Sequence, residues 1–339
     1  MKNELRFNDN GKFRILMLSD MHSGSDFNHK MIKGIEALVE EAKPDFVMLG
    51  GDQCLCVAKE KIKPYFEKII EPILKRNIPW AAIFGNHDRE CGIDIEEEME
   101  IYETIKGFVG EKGPKDLSGT GNYIIPIFSS KDDSVKYRIW AMDSHKGHES
   151  LIDKFHIENA SAINLPFSPD YIVNQSMPYP DQVFWYYNNS KRFEEEDGKI
   201  VPGIMFMHIM LPEYLYVSHN PEETNAVGMQ RESVQATLFN TGLFSFALER
   251  QDIKGFFFGH DHLNTLQGEY CGITMCCDGS IGYNMSTHDD MRGGRIIDLS
   301  EDGSMHTRML YLIDLLGKDA FRDPDYFEGG SKYNIRKFL

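Results

Sequence analysis

The chain has 339 residues, of which 41% are hydrophobic, and it has a formal net charge of −17. This length and composition predict a globular protein with a substantial core and exclude a disordered one. The negative charge argues against a nucleic-acid polymer as a partner, because such a partner binds a basic surface. It does not exclude an anionic substrate, since bound divalent metals can reverse the local field.

The sequence has no apolar segment typical of a targeting or membrane-spanning element. The N-terminal stretch lacks the apolar region and small-residue cleavage site of a secretory signal, and no window has the roughly 18 apolar residues of a membrane span. The cysteines lack zinc-ribbon spacing and are few for this length. We therefore expect reduced thiols in a cytoplasmic protein that does not enter a membrane. The cysteines are Cys54, Cys56, Cys91, Cys271, Cys276 and Cys277.

Five apolar runs, each followed by a polar cluster, recur along the chain. In chain order they are "FRILMLSDMH", "PDFVMLGGD", "PWAAIFGNHD", "PGIMFMHIM" and "KGFFFGHDH". Short apolar runs of about four to eight residues are typical of strands that are buried on both faces. The pattern therefore predicts five core strands that each end in chargeable side chains.

Helical patterns separate the first three runs. The segment "HKMIKGIEALVEEA" has one apolar stripe, and "IKPYFEKIIEPILKRN" and "IDIEEEMEIYETIKGF" follow the same spacing. Glu96, Glu97 and Glu98 suit the first turn of the third helix, where the helix dipole favours negative charge. Alternating strands and helices predict parallel strand pairing with right-handed crossovers.

The second half of the chain has a different organisation. Residues 144–199 are rich in Pro, Asn and aromatic residues, and we expect an insertion that lies over the site and ends in a helix, "DQVFWYYNNSKRFEEE". After Gly259, "GITMCCDG", "GGRIIDLS" and "SMHTRMLYLI" predict short strands. The expected organisation is one domain over residues 1–315, followed by a C-terminal tail at 316–339.

The polar clusters at the strand ends predict a metal site. Ligands of open α/β sheets bind at the carboxyl ends of the strands, so these side chains should meet at one rim. Imidazole and carboxylate groups suit Zn, Mn or Fe, and crowded carboxylates are costly without a cation. Any one cluster could instead be a turn, a helix cap or a core histidine. Their ordered recurrence at the ends of buried runs favours a metal-binding or catalytic role.

The order of the clusters, D-x-H, G-D, G-N-H-D, H and G-H-x-H, resembles that of the calcineurin-like metallophosphoesterases. The segments "MFMHIMLPEY", "GLFSFALERQDIKGFFFGHDH" and "GYN" are similar to the purple-acid-phosphatase-related branch, and within it to the Dcr-like phosphatases. The resemblance implies an α/β fold: a four-layer α/β/β/α sandwich of two mixed β-sheets flanked by helices. It also implies a dinuclear metal site at the carboxyl ends of the strands.

The resemblance further implies a role for each site residue. The ligands of the first metal would be Asp20, His22 and His262. The ligands of the second metal would be Asn86, His208 and His260. Asp52 would bridge the two ions, which could be Fe, Mn or Zn. His87 would face the substrate as a catalytic imidazole, Asp88 would orient His87, and Asp261 should point away from the metals.

One position departs from the purple members of the family. They have a Tyr three residues after the bridging Asp, and here that position is Leu55. A purple protein with a stably oxidised iron is therefore not expected. Cys54 and Cys56 flank this position, and either metal binding or a place in the core is open to them.

Several other polar residues have open roles. His219, His145 and His148 could reach the substrate or could lie in solvated loops, and Asp143 could support the site. Aromatic residues between 179 and 187 could line a pocket or could simply pack on a helix.

The sequence thus predicts a phosphoesterase that depends on two metal ions. We expect a phosphomonoesterase that hydrolyses a small phosphate ester or a phosphoprotein by in-line attack of a metal-bridging hydroxide, without a covalent phospho-enzyme. The alternative is a phosphodiesterase that acts on cyclic or small nucleotides. A catalytically inactive metal-binding scaffold is a third interpretation, and the presence of His87 argues against it.

Overall fold

The computed structural model of the chain describes residues 4–146, 175–237, 239–285 and 287–322. Two β-sheets form the centre of the described part. The strands of the seven-stranded sheet, in spatial order, are β1 (Leu5–Arg6), β5 (Tyr123–Phe128), β6 (Val135–Ala141), β7 (Gly203–Phe206), β8 (Ile253–Phe258), β10 (Ile273–Cys277) and β9 (Gln267–Tyr270). Those of the five-stranded sheet are β12 (Met305–Tyr311), β11 (Gly293–Ser300), β2 (Lys12–Leu18), β3 (Phe46–Leu49) and β4 (Trp80–Ala82).

Helices cover the outer faces of the two sheets. In chain order they are α1 (His29–Ala42), α2 (Lys59–Ile69), α3 (Glu71–Lys75), α4 (Ile95–Glu103), α5 (Pro180–Asp197), α6 (Tyr214–His219), α7 (Leu243–Arg250) and α8 (Leu312–Leu316). Helix α1 packs on β2 and β11, whereas α7 packs on β8 and on α5. Both sheets contain parallel and antiparallel pairs. The predicted four-layer arrangement of two mixed sheets between helices is therefore confirmed.

The three consecutive phenylalanines of β8 show how the layers are filled. Side chains of a strand alternate between the two faces of its sheet. Phe257 lies in the core between the two sheets, whereas Phe256 and Phe258 lie in the second core, under α5 and α7. All three are fully buried. A continuous apolar run is thus required because this strand is covered on both sides.

The first third of the chain has the predicted parallel pairing. β2 pairs with β3 and β3 with β4 in parallel, and helices connect them. The carboxyl ends of these strands therefore meet at one edge of the five-stranded sheet. β7 and β8 also pair in parallel, so their carboxyl ends meet at the corresponding edge of the seven-stranded sheet.

The structure differs from the sequence prediction in a few elements. The second predicted helix is divided into α2 and α3, and Pro72 lies in the first turn of α3, where proline is tolerated. Strands β1, β5 and β9 were not predicted. Residues 317–320, assigned above to the tail, form a 3₁₀ turn in which Ala320 is buried. The predicted helix of the insertion is confirmed as α5, and residues 147–174 of the insertion lie outside the described residues.

Candidate metal centre

The predicted ligands come from the ends of five strands. Asp20 and His22 follow β2, Asp52 follows β3, Asn86 follows β4, His208 follows β7, and His260 and His262 follow β8. The structure brings ligand atoms of four of them within 4.8 Å of one another: Asp20, His22, Asp52 and His262. His208 contacts the same group, because its Nε2 lies 3.2 Å from Oδ2 of Asp52. The two sheets thus contribute to one cluster of carboxylates and imidazoles.

The backbone at this cluster adopts an uncommon conformation. Left-handed φ angles occur at Asp20 (55°), His22 (41°), Asp52 (53°) and His260 (72°). Such angles are unfavourable for residues other than glycine, and they are concentrated at functional sites. They turn the chain sharply after each strand, so the side chains point into the cluster.

Two glycines allow the close approach of the loops. A Cβ atom at Gly85 would lie 2.1 Å from Oδ1 of Asp52, and one at Gly259 would lie 2.1 Å from Oγ of Ser19. Neither distance is possible for a side chain. The glycines of "GNHD" and "GHDH" are therefore required because the carboxylate of Asp52 and the hydroxyl of Ser19 occupy the space that a side chain would need.

The first group of ligands surrounds Oδ1 of Asp20. This atom lies 3.2 Å from Nε2 of His262 and 3.9 Å from Nε2 of His22. The other oxygen of Asp20 accepts hydrogen bonds from Oγ of Ser19 and from the backbone N–H of His260. Nε2 of His208 also lies 3.9 Å from Oδ1 of Asp20, so one oxygen of Asp20 is fixed by the protein and the other faces three imidazoles.

Asp52 lies between the two groups of ligands. Its Oδ2 is 3.4 Å from Nε2 of His22 and 3.2 Å from Nε2 of His208, while its Oδ1 accepts the backbone N–H of His87. Nδ1 of His208 donates to the backbone carbonyl of Gly50 at 2.8 Å, which directs Nε2 towards Asp52. One carboxylate oxygen thus faces imidazoles on both sides, as a bridging ligand must.

The cluster fits a cation because its polar atoms lack partners. Buried polar atoms nearly always have a hydrogen-bond partner, so unpaired ones need an explanation. Within the described part of the chain, five ligand atoms of the cluster are buried without a partner: Oδ1 of Asp20, Oδ2 of Asp52, Oδ1 of Asn86, Nε2 of His208 and Nε2 of His260. Oxygen and imidazole donors in this mixture suit first-row transition metals and zinc.

Burial and charge set the protonation of the cluster. Burial lowers the pKa of His22 to about 4 and that of His260 to about 3, so both are neutral imidazoles with a free lone pair. Burial opposes protonation of His208 too, but attraction to Asp52 and Asp20 raises its pKa to about 10. The proton on His208 offsets the carboxylate charge, and a metal ion at this position would displace it.

Asp88 supports the backbone of the site. Its carboxylate accepts the backbone N–H groups of Asp52, Cys54 and Gly85 at 2.8–2.9 Å. Burial and the charge of Asp52 raise its pKa to about 7. The direct contact with His87 that the sequence predicted is replaced by these three contacts. Asp88 therefore fixes the loops of two predicted ligands, and its role in orienting His87 stays a prediction.

The contact of His87 was missed by sequence reasoning. Its ring lies beside that of His22, with 5.4 Å between the centroids, and 39% of its side chain is exposed. Nδ1 of His87 lies 2.7 Å from Oε2 of Glu90. Glu90 stands three residues after His87 in a 3₁₀ turn over Asp88–Glu90, and that spacing was the available signal.

Asp143 lies beside the G-N-H-D segment. Its carboxylate accepts from Nη2 of Arg89 and from the backbone N–H of Thr120, while Nη1 of Arg89 donates to the carbonyl of Gly85. Asp143 thereby holds the turn that contains His87, in agreement with a supporting role.

The other candidate histidines have separate positions. His145 is buried, stacks on Tyr179 at 3.8 Å, and contacts the side-chain oxygen of Gln182. His219 is the last residue of α6 and is exposed. His148 lies outside the described residues. Asp261 accepts from Nδ2 of Asn264, and it points away from the cluster as predicted.

A known protein family matches the part of the chain that contains the predicted ligands. The family model of the calcineurin-like phosphoesterases matches residues 13–264, which include all seven predicted ligands. The chain belongs to the calcineurin-like phosphoesterase family.

Several members of the family are similar to this chain. "Probable inactive purple acid phosphatase 14" of Arabidopsis thaliana is 27% identical over 84% of this chain and 74% of its own length. "Phosphatase DCR2" of Saccharomyces cerevisiae is 28% identical over 79% of this chain, which corresponds to 46% of the yeast protein. The chain thus spans about half of the length of that relative.

Two solved structures share the fold. A dimetal phosphatase from Danio rerio has a TM-score of 0.53 at 11% identity, over 88% of this chain and 98% of its own. GAP50 of Plasmodium, an anchor in the inner membrane complex, has a TM-score of 0.53 at 12% identity, over 90% of this chain and 86% of its own. Among the described helices of our chain, none combines the length and the apolar character needed to cross a bilayer.

The segment after Asp52 differs from the purple members of the family. Leu55 is fully buried in the core. The sulfur of Cys54 lies 3.3 Å from Nδ1 of His22, and burial raises the pKa of its thiol far above the usual value. Cys54 is therefore a buried thiol that contacts the outer nitrogen of a predicted ligand.

The expectation of six reduced thiols is wrong for two cysteines. Cys56 and Cys91 form a disulfide, which joins the loop after β3 to the turn after Asn86 and His87. These cysteines are 35 residues apart, so their proximity follows from the fold and not from their spacing. The cytoplasmic location stays a prediction, and the disulfide is the feature that argues against it.

Proposed function

We propose that this chain is a phosphomonoesterase that uses two metal ions. The observation that supports the proposal is the position of Oδ2 of Asp52, which is buried between the imidazoles of His22 and His208 and has no hydrogen-bond partner among the described residues. A single carboxylate oxygen between two sets of ligands is what a pair of adjacent cations requires. Membership of the phosphoesterase family supports phosphate esters as substrates.

The ligand sets that we propose are those that the family resemblance implies. Asp20, His22 and His262 would hold one ion. Asn86, His208 and His260 would hold the other, with Asp52 shared by both. When bound, the two ions would supply an activated water and would neutralise the charge of the phosphoryl group. The metals we propose are Fe, Mn or Zn, because the donors are nitrogen and oxygen.

His87 is the residue of this chain that we assign to the substrate. Its backbone N–H donates to Oδ1 of Asp52, so the residue is fixed beside the predicted ligands, while its side chain is partly exposed. An imidazole there can donate a hydrogen bond to a phosphoryl oxygen or a proton to the leaving oxygen. The substrate we propose is a small phosphate ester or a phosphoprotein, since the net charge of −17 disfavours polynucleotides.

Two other activities have some support among the relatives. "Phosphodiesterase YaeI" of Escherichia coli is 38% identical over 101 residues, or 30% of this chain, which supports a diesterase that acts on cyclic or small nucleotides. The word "inactive" in the names of the Arabidopsis relatives supports a metal-binding scaffold without catalysis. His87, which is not needed for a scaffold, favours an enzyme.

The test is a comparison of initial rates on a chromogenic phosphomonoester and on the matching diester, after reconstitution with manganese. We expect a higher kcat/KM on the monoester, and loss of the rate in Asp52→Asn but not in the surface control Asp116→Asn. A preference for the diester would replace the proposal by the diesterase. Absence of hydrolysis on both esters, with metal bound, would support the scaffold.

A further inference from the structure

Glu90 and His87 form a pair at the edge of the metal cluster. Oε2 of Glu90 lies 2.7 Å from Nδ1 of His87, and its other oxygen lies 3.8 Å from Nζ of Lys146. The side chain of Glu90 is 47% exposed and that of His87 is 39% exposed, whereas the neighbouring Asp52 and His208 are fully buried. The pair thus lies where the buried cluster meets solvent, which is also where a substrate must enter.

The contact determines which nitrogen of His87 is available. A carboxylate accepts hydrogen bonds and does not donate them, so Nδ1 must provide the hydrogen. Nε2 is the remaining nitrogen of the ring, and it is free of this contact. A fixed hydrogen bond at one ring nitrogen sets both the tautomer and the orientation of the imidazole.

The turn that contains Glu90 is held on both sides. In a 3₁₀ turn, residues three apart lie above one another, which places Glu90 beside His87. Arg89 attaches the turn to Asp143 and to the carbonyl of Gly85, and Cys91 attaches it to Cys56. Glu90 is therefore part of a rigid turn, although its side chain is exposed.

We propose that Glu90 is the positioning residue of His87: it holds Nδ1 so that Nε2 faces the phosphate ester. This inference rests on the proposed function, because it assigns the substrate to the same imidazole. It replaces Asp88 in the role that the sequence suggested, since the carboxylate of Asp88 accepts three backbone N–H groups. Glu90 contacts neither the metals nor the substrate and acts through His87.

The kinetic test is a double-mutant cycle over Glu90→Ala and His87→Ala, with Glu103→Gln as an exposed control. A misplaced catalytic group costs about 10²-fold, so we expect Glu90→Ala to lower kcat by about 10- to 100-fold, with a smaller change in KM. In the His87→Ala background, Glu90→Ala should have no further effect. Bound metal per chain should equal that of the wild type. An undiminished effect of Glu90→Ala in the absence of His87 would overturn the proposal.

A second measurement does not depend on hydrolysis. Nitrogen-15 NMR of the histidine rings in the zinc-loaded protein, where the metal is diamagnetic, reports which nitrogen of His87 bears the hydrogen. We expect Glu90→Ala to change the His87 resonances and Glu90→Gln, which keeps an acceptor oxygen, to preserve them. Unchanged His87 resonances in Glu90→Ala would contradict the positioning role. If the wild type hydrolyses no ester, the function above fails while this measurement still decides the role of Glu90.

Discussion

Two groups of buried acids lie side by side in this molecule and differ in what surrounds them. In the ligand cluster, burial would raise the pKa of Asp52, but the nearby His208 lowers it below its usual value. In the second group, formed by Asp88, Glu98 and Tyr102, burial and neighbouring carboxylates raise the pKa of Asp88 to about 7 and that of Glu98 to about 8. Burial thus accompanies pKa shifts in opposite directions, because one group faces imidazoles and the other faces carboxylates.

The difference separates a binding site from its support. Oδ2 of Asp52 has no hydrogen-bond partner among the described residues, whereas both oxygens of Asp88 accept hydrogen bonds from backbone N–H groups. One oxygen of Glu98 accepts the hydroxyl of Tyr102 from the same helix, and the other is buried without a hydrogen-bond partner among the described residues. Unpaired carboxylate oxygens that face imidazoles suit a cation, whereas the paired oxygens of Asp88 fix the chain around it. The substitutions below test this division, starting with the largest expected effect.

The first substitution removes the charge shared by the two ligand sets. Asp52→Asn keeps the size of the side chain but removes one negative charge, and we expect kcat on a phosphomonoester to fall about 10³-fold or more, because metal-assisted charge stabilisation amounts to several kcal/mol. Steady-state kinetics measure the fall in kcat, and metal analysis measures the metal bound per chain. Wild-type kinetics in Asp52→Asn would remove Asp52 from the centre.

The second substitution separates the loops that the disulfide joins. The pair Cys56→Ser with Cys91→Ser should lower the free energy of unfolding by about 2–4 kcal/mol, because the unfolded chain gains entropy. Urea denaturation measures it, with Cys271→Ser as an exposed control outside the disulfide. Identical stability with and without dithiol reductant in the wild type would show that the pair does not form.

The third substitution weakens the support of the ligand loops. Asp88→Asn loses acceptor capacity for the N–H groups of Asp52, Cys54 and Gly85, so we expect metal affinity to fall about 10- to 100-fold, as for other outer partners of ligands. Competition with a chelator measures the metal affinity of the variant and of the wild type. If affinity were unchanged and only kcat fell, Asp88 would return to the catalytic role that the sequence suggested.

The fourth substitution concerns the pH dependence of Glu98. Its pKa is raised from 4.5 to about 8 in the fold, so its contribution to stability is full below pH 4.5 and is lost as pH rises through 8. The metal-free wild type should therefore lose stability from pH 5 to pH 8 relative to Glu98→Gln, by about 1 kcal/mol or more. Urea denaturation at pH 5 and at pH 8 tests this. If the difference in unfolding free energy between the wild type and Glu98→Gln were the same at both pH values, the raised pKa of Glu98 would be refuted.

Much of the fold could be predicted because its signals are local. Phe256–Phe258 predict a strand buried on both faces, and the alternation of strands with helices predicts the parallel pairing of β2, β3 and β4. The ligand residues follow directly from the ends of these strands. Strand β1 was missed because it has only two residues, and β9 because its sequence, QGEY, contains no apolar run.

The contacts around the ligands could not be predicted, because they join loops that are distant in sequence. Asp88 meets Cys54 from 34 positions away, and Cys56 meets Cys91 from 35. Even the short spacing of His87 and Glu90 decides nothing until the turn is known to be 3₁₀. Sequence order therefore predicts the ligands, but only the packed loops show what holds these residues.

The most direct test of the central claim is the number of metal ions that one chain binds. Native mass spectrometry of the folded protein after manganese loading gives this number without any assumption about the substrate. We predict two ions per chain in the wild type, and fewer than two in Asp52→Asn, since the shared ligand then loses its charge. A wild type that binds one ion or none under saturating metal would contradict the two-metal centre.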